Sequence, residues 1–86
     1  YRLAAEQGDA LAQTNLGFMY ANGDGVPKDL VFAHMWFDLS AAQGNETAQS
    51  NNEKIEQVMT REQIAEGQRL SHEWLEAHPP DPEGGN

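Results

Sequence analysis

Apolar residues recur at helical spacing in two neighbouring segments of this chain, and a turn rich in glycine separates the two segments. The inward positions are Ala12, Leu16, Met19 and Tyr20 in the first segment, and Ala33, Trp36, Phe37, Ser40 and Ala41 in the second. Side chains that are three and four residues apart lie on one face of an α-helix. The pattern therefore predicts two helices, joined by the turn "GDGVPKD" over residues 23–29.

Polar residues that can cap a helix stand directly before the predicted helices. Asp9, Asp29 and Asn45 can each accept a hydrogen bond from a free N–H group in the first helical turn. Thr60 and Gln63 have the spacing of a capping box, in which two side chains satisfy each other's backbone donors. These residues predict helix starts at four points along the chain.

The chain contains an internal repeat. Residues 1–15 align without a gap with residues 37–51, at an offset of 36 residues, and seven of the fifteen positions are identical. A period of this length is typical of helix pairs that bury their apolar face by stacking on copies of themselves. The repetition then decays, because the positions equivalent to Leu16, Gly17 and Tyr20 hold Asn52, Glu53 and Glu56.

The repeat boundaries predict one domain over residues 1–78. Its parts are the second helix of a preceding repeat at 1–8, one complete repeat at 9–44, a degenerate helix at 45–59 and a capping helix at 60–78. Residues 79–86 are rich in Pro and Gly and are predicted to form a disordered tail. Because Tyr1 falls within a helical pattern, we expect the natural N-terminus to lie upstream, which leaves both a cytoplasmic and a periplasmic or exported location open.

Two stretches of the chain resemble the Sel1-like repeat family, which is related to the tetratricopeptide repeats. They are "AQTNLGFMYANGDGVPKD" at residues 12–29 and "AHMWFDLSAAQGN" at residues 33–45. The segment at residues 59–79 is similar to the C-terminal helix that often closes bacterial members. The resemblance implies an all-α fold, an α/α solenoid built as a right-handed superhelix of antiparallel helix pairs with a C-terminal capping helix.

The resemblance also implies a function. Members of this family serve as non-catalytic scaffolds or adaptors for protein–protein interaction, so we expect a protein or peptide partner on the concave face and no cofactor. One alternative is an enzyme of the hydrolase type, since some cysteine-rich relatives are linked to β-lactam handling, although this chain has no cysteine. The other alternative is a purely structural cap of a longer repeat array.

Two glycines are predicted to lie where helices cross closely. The resemblance places Gly17 in the middle of a helix, where any side chain would hold the partner helix away. Gly67 lies inside the last predicted helix and costs about 1 kcal/mol relative to Ala, so a close approach is the expected reason for it. Gly8 and Gly44 are predicted to end the second helix of each unit.

The charge of the chain excludes some partners. With five basic and 14 acidic residues, the formal net charge is −9, and the basic residues are scattered rather than clustered as phosphate binding requires. No apolar stretch approaches the roughly 20 residues needed to span a bilayer. We therefore expect neither nucleic-acid binding nor membrane insertion.

The chain offers little catalytic or metal-binding chemistry. His34 and Asp38 have the i, i+4 spacing of two metal ligands, but no third ligand stands nearby, and we expect a surface pair on the outer face of the second helix. Ser71 and His72 are adjacent in a helix and so point in different directions, which excludes a Ser–His couple. We therefore expect no catalytic residue and no metal site.

One face of the first helix is a candidate partner-binding surface. Leu11, Thr14 and Phe18 share a face that is rotated away from the Leu16–Tyr20 stripe. The first helices of superhelical repeats line the concave surface, which is the usual binding groove. The alternative is that Leu11 and Phe18 pack on the first helix of a neighbouring unit.

Overall fold

A computed structural model describes residues 2–79, and five α-helices account for most of this range. The helices are α1 (Arg2–Glu6), α2 (Ala10–Asn22), α3 (Leu30–Ala41), α4 (Glu46–Glu56) and α5 (Arg61–Ala77). No strand occurs among the described residues, so the all-helical prediction is confirmed for this range. The tail predicted over residues 79–86 lies outside the described residues except for Pro79.

The helices begin where the capping residues predict. Asp9, Asp29 and Asn45 each accept a hydrogen bond from the backbone N–H three residues further on, which satisfies a donor that has no partner within the helix. At α5, Thr60 Oγ1 accepts from the Gln63 backbone N–H, and Gln63 Oε1 accepts from the Thr60 N–H. The predicted capping box is therefore confirmed.

The close helix crossing predicted at Gly17 is confirmed. A Cβ atom built at Gly17 would lie 2.6 Å from Phe37 Cε1, nearer than any real Cβ contact allows. A Cβ at Gly67 would lie 2.9 Å from His34 Cβ, so this glycine likewise lets α5 approach α3. Both positions are helical and need glycine for space rather than for backbone freedom.

Helix α3 is the centre of the fold, because α2, α4 and α5 all pack against it. Helices α2 and α3 are antiparallel, since Tyr20 contacts Phe32 near one end and Thr14 contacts Ser40 near the other. The larger buried cluster comprises Ala5, Ala12, Leu16, Met35, Trp36 and Leu39. Trp36 anchors α5 to this cluster through an edge-to-face contact with Trp74, so the predicted inward position of Trp36 is confirmed.

None of the helices within residues 2–79 has the combination of length and apolar character that crossing a membrane would require.

Candidate functional site

Leu11 lies on the surface of α2, which is the first helix of the complete repeat. Its side chain is 66% exposed, and it borders a shallow groove of about 220 Å³ between α1 and α2 that Ala4 and Ala12 also line. Asp9 and Asn15 supply the polar rim of this groove. Leu11 is therefore an accessible apolar side chain on a helix that is held firmly at its N-terminus by the Asp9 cap.

Thr14 is placed differently, because its side chain is only 3% exposed. Its Oγ1 lies 2.7 Å from Ser40 Oγ in a hydrogen bond between α2 and α3, and Ser40 Oγ in turn donates to the Ala10 carbonyl at 2.7 Å. The same carbonyl oxygen lies 3.1 Å from Thr14 Oγ1. Thr14 thus joins the two helices, and no part of this role needs a partner protein.

Phe18 is half-buried, so its exposure lies between that of Leu11 and that of Thr14. Its ring packs edge to face on Phe37, with the ring centroids 5.5 Å apart, and it borders the cluster of Ala33, Phe37 and Ala48. The structure therefore does not bring Leu11, Thr14 and Phe18 together as one exposed face. Leu11 is exposed, Phe18 is half-buried, and Thr14 is enclosed.

The expected surface pair of His34 and Asp38 is wrong, because His34 is fully buried at 0% exposure. Helices α4 and α5 cover this face of α3, and Gly67 lies directly against the imidazole ring. His34 Nδ1 lies 3.1 Å from Asp38 Oδ2, and Nε2 lies 2.7 Å from Glu56 Oε2. Both ring nitrogens are therefore matched to carboxylates.

Asn52 and Glu56 complete this buried polar cluster from α4. Asn52 Nδ2 donates to Asp38 Oδ1 at 2.7 Å, and Glu56 holds the far side of the His34 ring. These are two of the positions at which the repeat pattern decays. From the repeat pattern alone, Asn52 and Glu56 indicate only that the repeat is lost, and their contacts with Asp38 and His34 were not predicted. The available signal was the joint occurrence of a His–Asp pair on one helix and polar replacements on the helix that faces it.

The two carboxylates set the protonation of His34. Burial disfavours the charged ring and lowers its pKa, but the contacts with Asp38 and Glu56 outweigh burial, so the pKa of His34 is raised above its ordinary value of 6.5. The charged ring is stabilised in place and has no solvent access. Within the described residues, no group of three or more acidic or histidine side chains is arranged to hold a metal ion.

Comparison with known sequences places the repeat in a family. The model of the Sel1 repeat family matches residues 1–9 and 10–45, which is just over half of the chain. The chain is also similar to the sel1-like repeat-containing protein L21 of Acanthamoeba polyphaga mimivirus, with 49% identity over 47 residues. That alignment covers 55% of this chain and 9% of the relative, so the chain spans only a small part of that protein's length.

The matched segments contain α1, α2 and α3. These helices include the close crossing at Gly17 and most of the buried core. The relative is viral, and the bacterial-type C-terminal end suggested by residues 59–79 stays a prediction. Sel1 repeats generally mediate protein–protein interaction, and the family is typically non-catalytic. With the family model covering both a complete repeat and the helix before it, the chain belongs to the Sel1 repeat family.

Proposed function

We propose that the chain is a non-catalytic interaction module that binds a peptide or protein on a concave face lined by its first helices, α2 and α4. In this proposal the helix pairs continue as a right-handed α/α solenoid, and α5 caps its C-terminal end. The family's general role in protein–protein interaction supports the proposal. The observation that carries it is the exposure of Leu11 on a helix whose other faces are fixed by packing.

Leu11 is the proposed anchor of the partner. An exposed leucine beside a shallow apolar groove loses contact with water when a partner covers it, and such apolar anchors supply much of the binding free energy of interfaces. Phe18 adds the exposed part of a half-buried ring. Thr14 contributes indirectly, because its hydrogen bonds hold α2 against α3.

The hydrolase alternative receives little support from the polar side chains. His34, Asp38 and Glu56 are the residue types best suited to acid–base chemistry, but the histidine is fully buried, with Nε2 hydrogen-bonded to Glu56 and Nδ1 3.1 Å from Asp38. A general base must come within hydrogen-bond reach of its substrate. This cluster instead ties α3 to α4. The remaining alternative, a purely structural cap, differs from the proposal in that it needs no partner.

Leu11→Gln tests the proposal. Peptides from a random display library are selected on the chain, and the Kd of a selected fluorescent peptide is measured by anisotropy. We expect Leu11→Gln to weaken this peptide about fivefold or more, because truncation of an interface anchor costs more than about 1 kcal/mol. Leu11 is a cleaner probe than Phe18, since Phe18→Ala also removes the contact with Phe37 and lowers stability.

Val58→Gln is the matched control. Val58 is 74% exposed in the turn between α4 and α5, so its replacement removes a similar apolar side chain at a distance from the proposed face. Both variants should keep the melting temperature of the parent chain, because both sites are on the surface. Equal weakening by the two variants would contradict the proposed face. Failure of the selection to enrich any binding peptide would favour the purely structural cap.

A further inference from the structure

A second groove, of about 610 Å³, lies at the end of the molecule where α1, α3 and α5 terminate. Leu39, Trp74 and Leu75 give it an apolar floor, and Glu6, Gln43 and His78 stand at its rim. It shares no lining residue with the small groove beside Leu11. The second groove is therefore a separate surface, and binding of a ligand there is a function additional to the one proposed above.

The topology of the helices brings three C-terminal ends to this groove. Helices α3 and α5 run in the same direction, because Gly67 faces His34 and Ser71, one turn later, faces Asp38. Helix α1 also folds back on α2, since the Ala5 carbonyl accepts from Gln13 and Ala4 lines the same groove as Asn15, so α1 runs in the same direction as α3. The C-terminal end of a helix carries the negative end of its dipole and backbone carbonyls without partners in the helix. The rim of the groove is thus electronegative.

Side chains at the rim of the groove also supply hydrogen-bond acceptors and negative charge. Gln13 Nε2 donates to the Ala5 carbonyl at 3.0 Å, and Gln43 Nε2 donates to Gln13 Oε1 at 2.9 Å. One N–H of each side-chain amide is used in this chain, and the Gln43 amide oxygen accepts from no other residue among those described. The Glu6 carboxylate is exposed at the rim, and within residues 2–79 no Lys or Arg side chain lines the groove.

The aromatic wall is held in place. The His78 ring stacks on Trp74, with centroids 4.0 Å apart and an interplanar angle of 11°, and His78 Nδ1 donates to the Trp74 carbonyl. Trp36 also contacts Trp74 edge to face, with the ring centroids 6.1 Å apart. A ligand therefore meets a preformed apolar surface next to an electronegative rim, so little ordering is required on binding.

We propose that this groove binds a basic segment of a partner protein, with one arginine at the rim and an apolar neighbour over Trp74 and Leu75. The planar guanidinium group has five N–H donors, which suits the Glu6 carboxylate, the Gln43 amide oxygen and the helix-end carbonyls. The net charge of −9 favours approach of a basic partner. The chain's own residues 80–86 carry Asp81 and Glu83 and no basic residue, so their charge has the wrong sign for this groove.

The test uses the full chain, labelled with ¹⁵N, and the blocked tripeptide acetyl-Leu-Arg-Leu-amide. Titration should give saturable shifts at the Trp74 indole and at the backbone amides of Gln43 and His78. The tripeptide with Gln in the central position should bind about fivefold more weakly, since it loses the charge interaction with the carboxylate and the helix ends. The tripeptide with Glu in that position should give no saturable shift.

Charge variants separate this groove from a general attraction to an acidic surface. Glu6→Gln should weaken the arginine tripeptide about two- to fivefold, as expected for an exposed charge pair. Glu53→Gln removes an exposed carboxylate from α4 and should leave binding unchanged. Leu11→Gln should also leave it unchanged, so that failure of the proposed function and failure of this proposal remain distinguishable.

Three results would overturn the proposal. The first is equal affinity for the Arg and Gln tripeptides, and the second is equal weakening by Glu6→Gln and Glu53→Gln. The third is a set of concentration-dependent shifts at Trp74 and Gln43 without any peptide, which would assign the groove to a second copy of this chain.

Discussion

At the residue scale, Gly17 sets the distance between α2 and α3. The Phe37 ring occupies the space that a side chain at position 17 would need, and a Cβ there would lie 2.6 Å from Cε1. We predict that Gly17→Ala lowers the free energy of unfolding by about 1–3 kcal/mol, as overpacking of a filled core does. This loss would exceed the gain of about 1 kcal/mol that Ala gives in an open helix. Urea unfolding measures the net change.

The double variant Gly17→Ala with Phe37→Leu is the control. A smaller side chain at position 37 makes room for the new methyl group, so the two changes should cost less together than the sum of their separate effects. Gln68→Ala, at an exposed position of α5, should change stability by less than about 0.5 kcal/mol. Additive losses in the double variant would mean that the crossing does not depend on Gly17.

At the element scale, α4 is joined to α3 through a polar cluster in addition to the apolar contact of Ala48 with Ala33 and Phe37. Asn52 occupies the repeat position of Leu16 and donates to Asp38. We predict that Asn52→Leu, which restores the residue of the preceding repeat, destabilises the chain by about 1–3 kcal/mol because the Asp38 carboxylate loses a partner at a half-buried site. Chemical denaturation tests this, with Asn51→Leu on the same helix as the control. A gain in stability would show that Asn52 marks only decay of the repeat.

Much of this element scale could be predicted from the sequence. Capping is a local interaction between residues three apart, so Asp9, Asn45 and Thr60 indicated the helix starts directly. The environment of His34 could not be predicted in the same way, because its partner Glu56 is 22 residues away and reaches it only once α4 has packed on α3. Thr14 is a second example. Its position in the helix predicted a place on the binding face, but in the folded chain the contact with Ser40 encloses it.

At the scale of the whole molecule, stability should depend on pH through His34. Its pKa is raised in the folded chain, since the Asp38 and Glu56 carboxylates outweigh the opposing effect of burial. The folded state then holds the proton more tightly than the unfolded chain, so the stabilisation is complete below about pH 6.5 and is lost as the pH rises through the raised value. The melting temperature should therefore fall as the pH rises from about 6.5 through the raised pKa of His34.

Three variants check the origin of this pH dependence. His34→Gln should remove the fall in melting temperature, and Glu56→Gln, at a more accessible position, should reduce it. His72→Gln should leave the fall unchanged, because His72 is exposed on α5. An unchanged pH profile in both His34→Gln and Glu56→Gln would assign the dependence to other groups.

The central claim is that the molecule works by holding a partner against the α2 face. The most direct measurement is the set of intermolecular nuclear Overhauser effects between the chain and a peptide selected for binding to it, with the leucine methyl groups labelled. We predict contacts from the peptide to the Leu11 methyl groups and to the half-buried Phe18 ring. Contacts confined to other surfaces, such as the Val58 turn, with none to Leu11, would contradict the claim.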